Sequence, residues 1–150
     1  MIHAFVARFS QVLLVPATLL AVGMSAITVR AQSQLYNPIT LPANNEITDN
    51  LSDKDIPTGQ GGFARDYVVT LTAGDNLAID VTSEGFDTIV TLLAKNGTTV
   101  VENDDGPDGS TNSLLFTRIK DAGTYIIRVR AFGETAGGEF KLKVTRLRPI

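Results

Sequence analysis

From residue 67 onward, apolar side chains recur at every second position. Tyr67, Val69 and Leu71 alternate with Val68, Thr70 and Thr72, and Ala73-Gly74-Asp75 then turns the chain. Leu77, Ile79 and Val81 alternate with Ala78, Asp80 and Thr82, the pattern of a strand buried on one face. Phe86 to Leu93 is apolar on both faces, with Ile89 and Leu93 opposing Val90 and Leu92, which predicts a central strand. Leu114 to Ile119 reads the same way. Tyr125, Ile127, Val129 and Ala131 alternate with Ile126, Arg128 and Arg130. After Gly137-Gly138, Phe140, Leu142 and Val144 alternate with Lys141, Lys143 and Thr145. No window carries a helical period.

The punctuation between these runs is that of a β protein. Asn96-Gly97 lies between Ile89–Leu93 and Thr98–Val101 and predicts a hairpin, because both central residues of a type I′ turn need positive φ. A further short strand is expected at Glu46–Leu51, followed by a loop over Asp53–Gly62 rich in Asp, Pro and Gly. About eight strands with turn signals every 8 to 12 residues predict an all-β, antiparallel β-sandwich of jelly-roll-like form. The core is expected to hold Tyr67, Leu77, Ile79, Val81, Val90, Leu92, Tyr125, Ile127, Val129, Phe140, Leu142 and Val144. Tyr125, in Asp121-x-Gly-x-Tyr, is read as a tyrosine corner whose hydroxyl bonds back to the loop before its strand.

Residues 1–31 follow a different rule. Arg8 precedes the apolar run Val12–Val22, and Val29-Arg30-Ala31 suits a signal peptidase, with Gln32 as the new N-terminus. The alternative is a retained anchor, but Pro16, Thr18, Gly23, Ser25 and Thr28 dilute a run that would need about 20 apolar residues to span a bilayer. Residues 32–44 read as a linker or a loosely attached first strand, and residues 45–148 as the domain. The expectation is therefore a secreted or periplasmic protein with no stable membrane span after cleavage. Beyond Ala31 the chain loses Arg8 and Arg30 but no acid, so the net charge moves from −3 to −5. Nucleic-acid binding, which needs a basic stripe and interleaved aromatics, is not expected.

Composition narrows the chemistry further. The chain has no Cys, and its one His is His3. The domain therefore has no Ser-His-Asp or Cys-His site and no zinc site built on imidazole or thiolate. Calcium is the remaining metal candidate, because hard cations take carboxylate and carbonyl oxygens from flexible loops. Asp104 and Asp105, with Asp87, are the candidate ligands in or near Asn103–Ser110. The competing reading is that Asp and Asn here bond their own backbone in Asx-turns.

Ala73-Gly74-Asp75, Phe86-Asp87-Thr88, Asn96-Gly97, Glu102-Asn103-Asp104-Asp105, Asn112-Ser113 and Ala122-Gly123-Thr124-Tyr125 occur in an order that resembles bacterial pre-peptidase C-terminal domains, over roughly residues 46–146. The resemblance implies a non-catalytic β-sandwich, usually appended to exported enzymes, that assists secretion, localisation or substrate attachment. By similarity to related collagen-binding domains, Asp53, Asp55 and Asp66 match a calcium loop, while residues 32–44 lack the acids of the matching linker. The expected function is an exported non-catalytic accessory or binding module. Its partner is an extracellular protein or polysaccharide, or a separately encoded exported enzyme. The alternatives are a small secreted hydrolase and a structural cell-envelope component.

Overall fold

The computed structural model describes residues 36–59, 61–107, 109–133 and 137–147. The signal-peptide reading of residues 1–31 lies outside them. Among the described residues no helix is long and apolar enough to cross a membrane. Ten strands form two sheets: β1 (Ile39–Thr40), β2 (Glu46–Leu51), β3 (Ile56–Pro57), β4 (Phe63–Leu71), β5 (Asn76–Thr82), β6 (Thr88–Ala94), β7 (Thr99–Asn103), β8 (Ser113–Arg118), β9 (Gly123–Ala131) and β10 (Gly138–Leu147). One sheet runs β1-β4-β9-β6-β7, with β3 also on β4; the other runs β2-β10-β5-β8. All pairings are antiparallel except β1 with β4.

The eight long strands are those the alternation predicts, and all twelve expected core residues lie in one buried cluster. Leu51, Leu71 and Leu115 join them. Tyr67 and Phe86 meet Phe140 edge-on, at ring-centre distances of 6.2 and 6.3 Å. The Tyr125 hydroxyl donates to the Asp121 carbonyl at 2.7 Å, which is the tyrosine corner.

Four local expectations change. The Asn96-Gly97 hairpin does not use a type I′ turn, since Gly97 has φ +85° while Asn96 is not in the positive-φ region. Gly97 N–H donates to Ala94, and Ala94 N–H to Thr98, so Lys95–Gly97 is a three-residue loop closed by a left-handed glycine. Residues 36–44 supply β1, and Leu41 is buried, so this part of the stretch is an attached first strand. The Asp53–Gly62 loop contains β3, whose two residues pair with Phe63 and Ala64. Finally, β8 is an edge strand with Phe116 exposed, although Leu114–Ile119 reads as apolar on both sides.

Candidate functional site

The strand directions bring the C-terminal ends of β2, β5, β7 and β9 and the N-terminal ends of β4, β6, β8 and β10 to one end of the sandwich. Their backbones are tied together there. Thr88 N–H donates to Thr111, Phe132 N–H to Asp87 and Leu114 N–H to Asp105, at 2.8 to 3.1 Å. The buried Thr88 and Ser113 hydroxyls lie 2.8 Å apart and bridge the two sheets beneath the loops. Asp87, Asp104 and Asp105 thus come to one end of the fold. Yet no group of three or more carboxylate, imidazole or thiol side chains stands within reach of a common metal among the described residues. Asn103 organises the acidic loop, its side-chain amide donating to the Asp105 and Leu114 carbonyls at 2.9 and 2.8 Å.

Asp55 and Asp66 are separated by the partners they take, and with Asp53 they form no common cluster among the described residues. Asp66 points from the outer face of β4, where the Arg128 guanidinium grips both its oxygens at 2.8 Å and the Tyr36 hydroxyl donates at 2.9 Å. Burial and the neighbouring Asp66 push the Tyr36 phenol up to about 12. The hydrogen bonds to Asp66 raise Arg128 more than its burial lowers it. Asp55 instead accepts from Arg65 at 2.5 Å, and Arg65 also donates to Asp49 of β2 at 2.8 Å. The Tyr67 hydroxyl donates to the same Asp49 oxygen at 2.9 Å. Burial alone would raise Asp49, but the Asn50 amide, Tyr67 and Arg65 more than offset it and hold its carboxyl below the ordinary value. These clusters join strands; neither leaves a carboxylate poised for acid–base work.

The outer face of the β4-β9-β6 sheet carries an open hollow of about 260 Å³, bordered by β3 along β4 and by Thr91, Thr99, Glu102, Arg128 and Arg130. Thr91 donates to Glu102 at 2.6 Å and Arg130 to the other Glu102 oxygen at 3.2 Å. The Thr91 bond and the Arg130 charge hold Glu102 below its usual range despite some desolvation. Among the described residues one Arg130 nitrogen is engaged in this way. The floor is apolar, with Leu93 and Ala64, and the polar groups converge from β6, β7 and β9. A second depression of about 600 Å³ lies on the outer face of the other sheet, bordered by Thr48, Thr82, Ser83, Asn112 and Lys141.

Arg128, Arg130, Lys141 and Lys143 occupy alternate positions of their strands and would make one basic face if β9 and β10 were neighbours. The structure removes it: β9 and β10 lie in different sheets. Arg128 and Arg130 are consumed in part by Asp66 and Glu102, and Lys141 by Glu46. What the linear sequence could not show is that β3 pairs with β4 and borders the same hollow as Arg130. The cue is a short Ile56-Pro57 pair in a polar loop, too brief to read as a strand.

Residues 64–131 match the family model of the bacterial pre-peptidase C-terminal domain. The matched span runs from β4 to the end of β9; it includes all six motifs and is narrower than the stretch of roughly residues 46–146 over which the resemblance extends. The fold is similar to the pre-peptidase C-terminal domain of collagenase from Bacillus anthracis, with a TM-score of 0.52 and 19% identity over 73% of this chain and 93% of that one. It is also similar to PliG, a periplasmic lysozyme inhibitor of g-type lysozyme from Aeromonas hydrophila, with a TM-score of 0.51 and 13% identity over 73% of this chain and 96% of that one. Among curated proteins, none matches by sequence.

Proposed function

We propose that this chain, which carries the pre-peptidase C-terminal domain pattern over residues 64–131, is an exported non-catalytic binding module that acts on the cell exterior or in the periplasm. The observation that carries the reading is the hollow beside β3. It is small and open, and hydroxyl, carboxylate and guanidinium groups converge on it around a patch of Ala64 and Leu93. Its charged groups are paired with one another rather than aligned as nucleophile and base, so it is suited to holding a ligand and not to transforming one. The partner is an extracellular protein or polysaccharide, or a separately encoded exported enzyme. The likeness of the fold to an inhibitor of an enzyme supports a protein partner.

The test is a binding panel of purified cell-wall polysaccharides and secreted enzymes against the wild-type protein, Thr99→Trp, which fills the hollow, and Arg130→Ala, which empties one wall. Capture by the wild type with at least tenfold weaker binding by Thr99→Trp is the expected result. Equal binding by all three proteins removes the hollow as the site. Turnover of a peptide or glycan by the pure protein overturns the binding-module reading.

A further inference from the structure

β8 closes its sheet, and one of its sides is only half occupied. Leu114 donates its N–H to the Asp105 carbonyl at 3.1 Å and accepts from the Asn103 side-chain amide at 2.8 Å, both away from β5. Ile119, of opposite parity, donates back toward β5 to the Asp75 carbonyl at 2.8 Å. In an antiparallel ladder alternate residues point their backbone groups to the same side. The N–H and C=O of Phe116 and Arg118 therefore face the open side, where no strand among the described residues pairs with them. The Phe116 ring, on the outer face of the sheet, is 62% exposed. Unpaired backbone groups on a strand edge, beside an exposed aromatic, are a template for strand addition.

The charges on this edge are arranged to suit a copy of itself. Asp104 and Asp105 lie beside its Leu114 end, while Arg118 and Lys120 occupy the other. None of the four forms an ion pair among the described residues. A second β8 running antiparallel brings each acidic end against a basic one. One antiparallel register engages the open groups of both residues within β8 itself, with Phe116 opposite Arg118 of the second copy and the reverse across a two-fold axis at Thr117. Both pairs then exchange their hydrogen bonds, and each Phe116 ring lies next to a guanidinium, a cation–π arrangement. The same register sets Lys120 of the second copy opposite Leu114 and hence beside Asp105. The Asp105 backbone already occupies Leu114, so pairing stops there.

We infer that the chain associates with a second copy of itself through antiparallel pairing of β8 about Thr117, which joins the two β2-β10-β5-β8 sheets into one. The contact is isologous, as a two-fold dimer requires. Two open residues per copy make a limited contact, so association is of the weak, concentration-dependent class. It leaves the hollow beside β3, on the other sheet, open in both copies.

Sedimentation velocity on the purified protein from micromolar to millimolar concentration tests this, together with amide exchange of Phe116 and Arg118. The expected result is a mass that rises toward twice the monomer, weakened by salt, with both amides protected only at high concentration. Lys120→Glu and Asp105→Lys should each weaken association about tenfold, and the double variant should restore it, since the pair then attracts again with the signs exchanged. Phe116→Pro, which removes an outward N–H that makes no bond within the chain, should abolish it. A protein that stays monomeric over the whole range overturns the inference. So does a dimer that ignores Phe116→Pro and the charge exchange, because it must use another surface.

Discussion

Replacing Arg65 with Met tests how the two sheets are held at the loop end. Arg65 sits on β4 and reaches Asp49 on β2 of the other sheet and Asp55 before β3. The Asp49 and Asp55 side chains retain 20% and 9% exposure, so the pairs lie between surface and interior. Fully exposed pairs contribute about 0–1 kcal/mol. Breaking a fully buried one costs about 3–5 kcal/mol, because the abandoned carboxylate stays desolvated. For Arg65→Met, which keeps the apolar stem, the expected loss is about 2 kcal/mol, read from urea unfolding at neutral pH. The pH dependence adds an independent signature. The Asp49 carboxyl is held below its ordinary value in the folded protein. Its contribution is therefore fully present above the unfolded value of about 3.9 and is lost as the pH falls through the folded one. Wild type should lose stability in that acid window, and Asp49→Asn should lose less of it. A double-mutant cycle between Arg65→Met and Asp49→Asn should return a coupling above about 0.5 kcal/mol. A loss for Arg65→Met within measurement error, or zero coupling, would refute the claim that this pair links the sheets.

Gly137 has φ +97°, and a Cβ there would stand 2.5 Å from the Leu51 carbonyl oxygen, so Gly137→Ala should cost more than about 2 kcal/mol in chemical denaturation. Tyr125→Phe removes the donor to the Asp121 carbonyl and should cost about 0.5–1.5 kcal/mol; no change in the unfolding midpoint would strip the tyrosine corner of its role. Calcium held by Asp104 and Asp105, with Asp87, is a proposal that thermal melts decide: millimolar calcium against chelator should raise the Tm, and Asp104→Asn with Asp105→Asn should remove the rise. An unchanged melt leaves Asn103 and its two carbonyl acceptors as the organisers of that loop.

Alternation and two-sided apolar runs, with the Asn96-Gly97 turn signal and the short Glu46–Leu51 run, were enough to place the eight long strands and the twelve core residues, because a side chain's face within a strand depends on parity alone. The absence of Cys, and of any His beyond His3, was likewise legible and excluded whole classes of active site. Tyr125 could be assigned its role because its partner lies four residues away. What the linear order could not contain was which strands become neighbours. Arg128 and Lys141 look alike on alternating strands, yet one grips Asp66 on one sheet and the other meets Glu46 on the opposite sheet. Asp66 reads as a loop carboxylate by resemblance, and only the pairing of β4 with β9 sets it under a guanidinium 62 residues away. The same holds for β8, whose apolar pattern fits a central strand while its position leaves it at an edge. Parity is local, whereas ion pairs, edges and hollows are products of non-local pairing, which the tertiary fold alone decides.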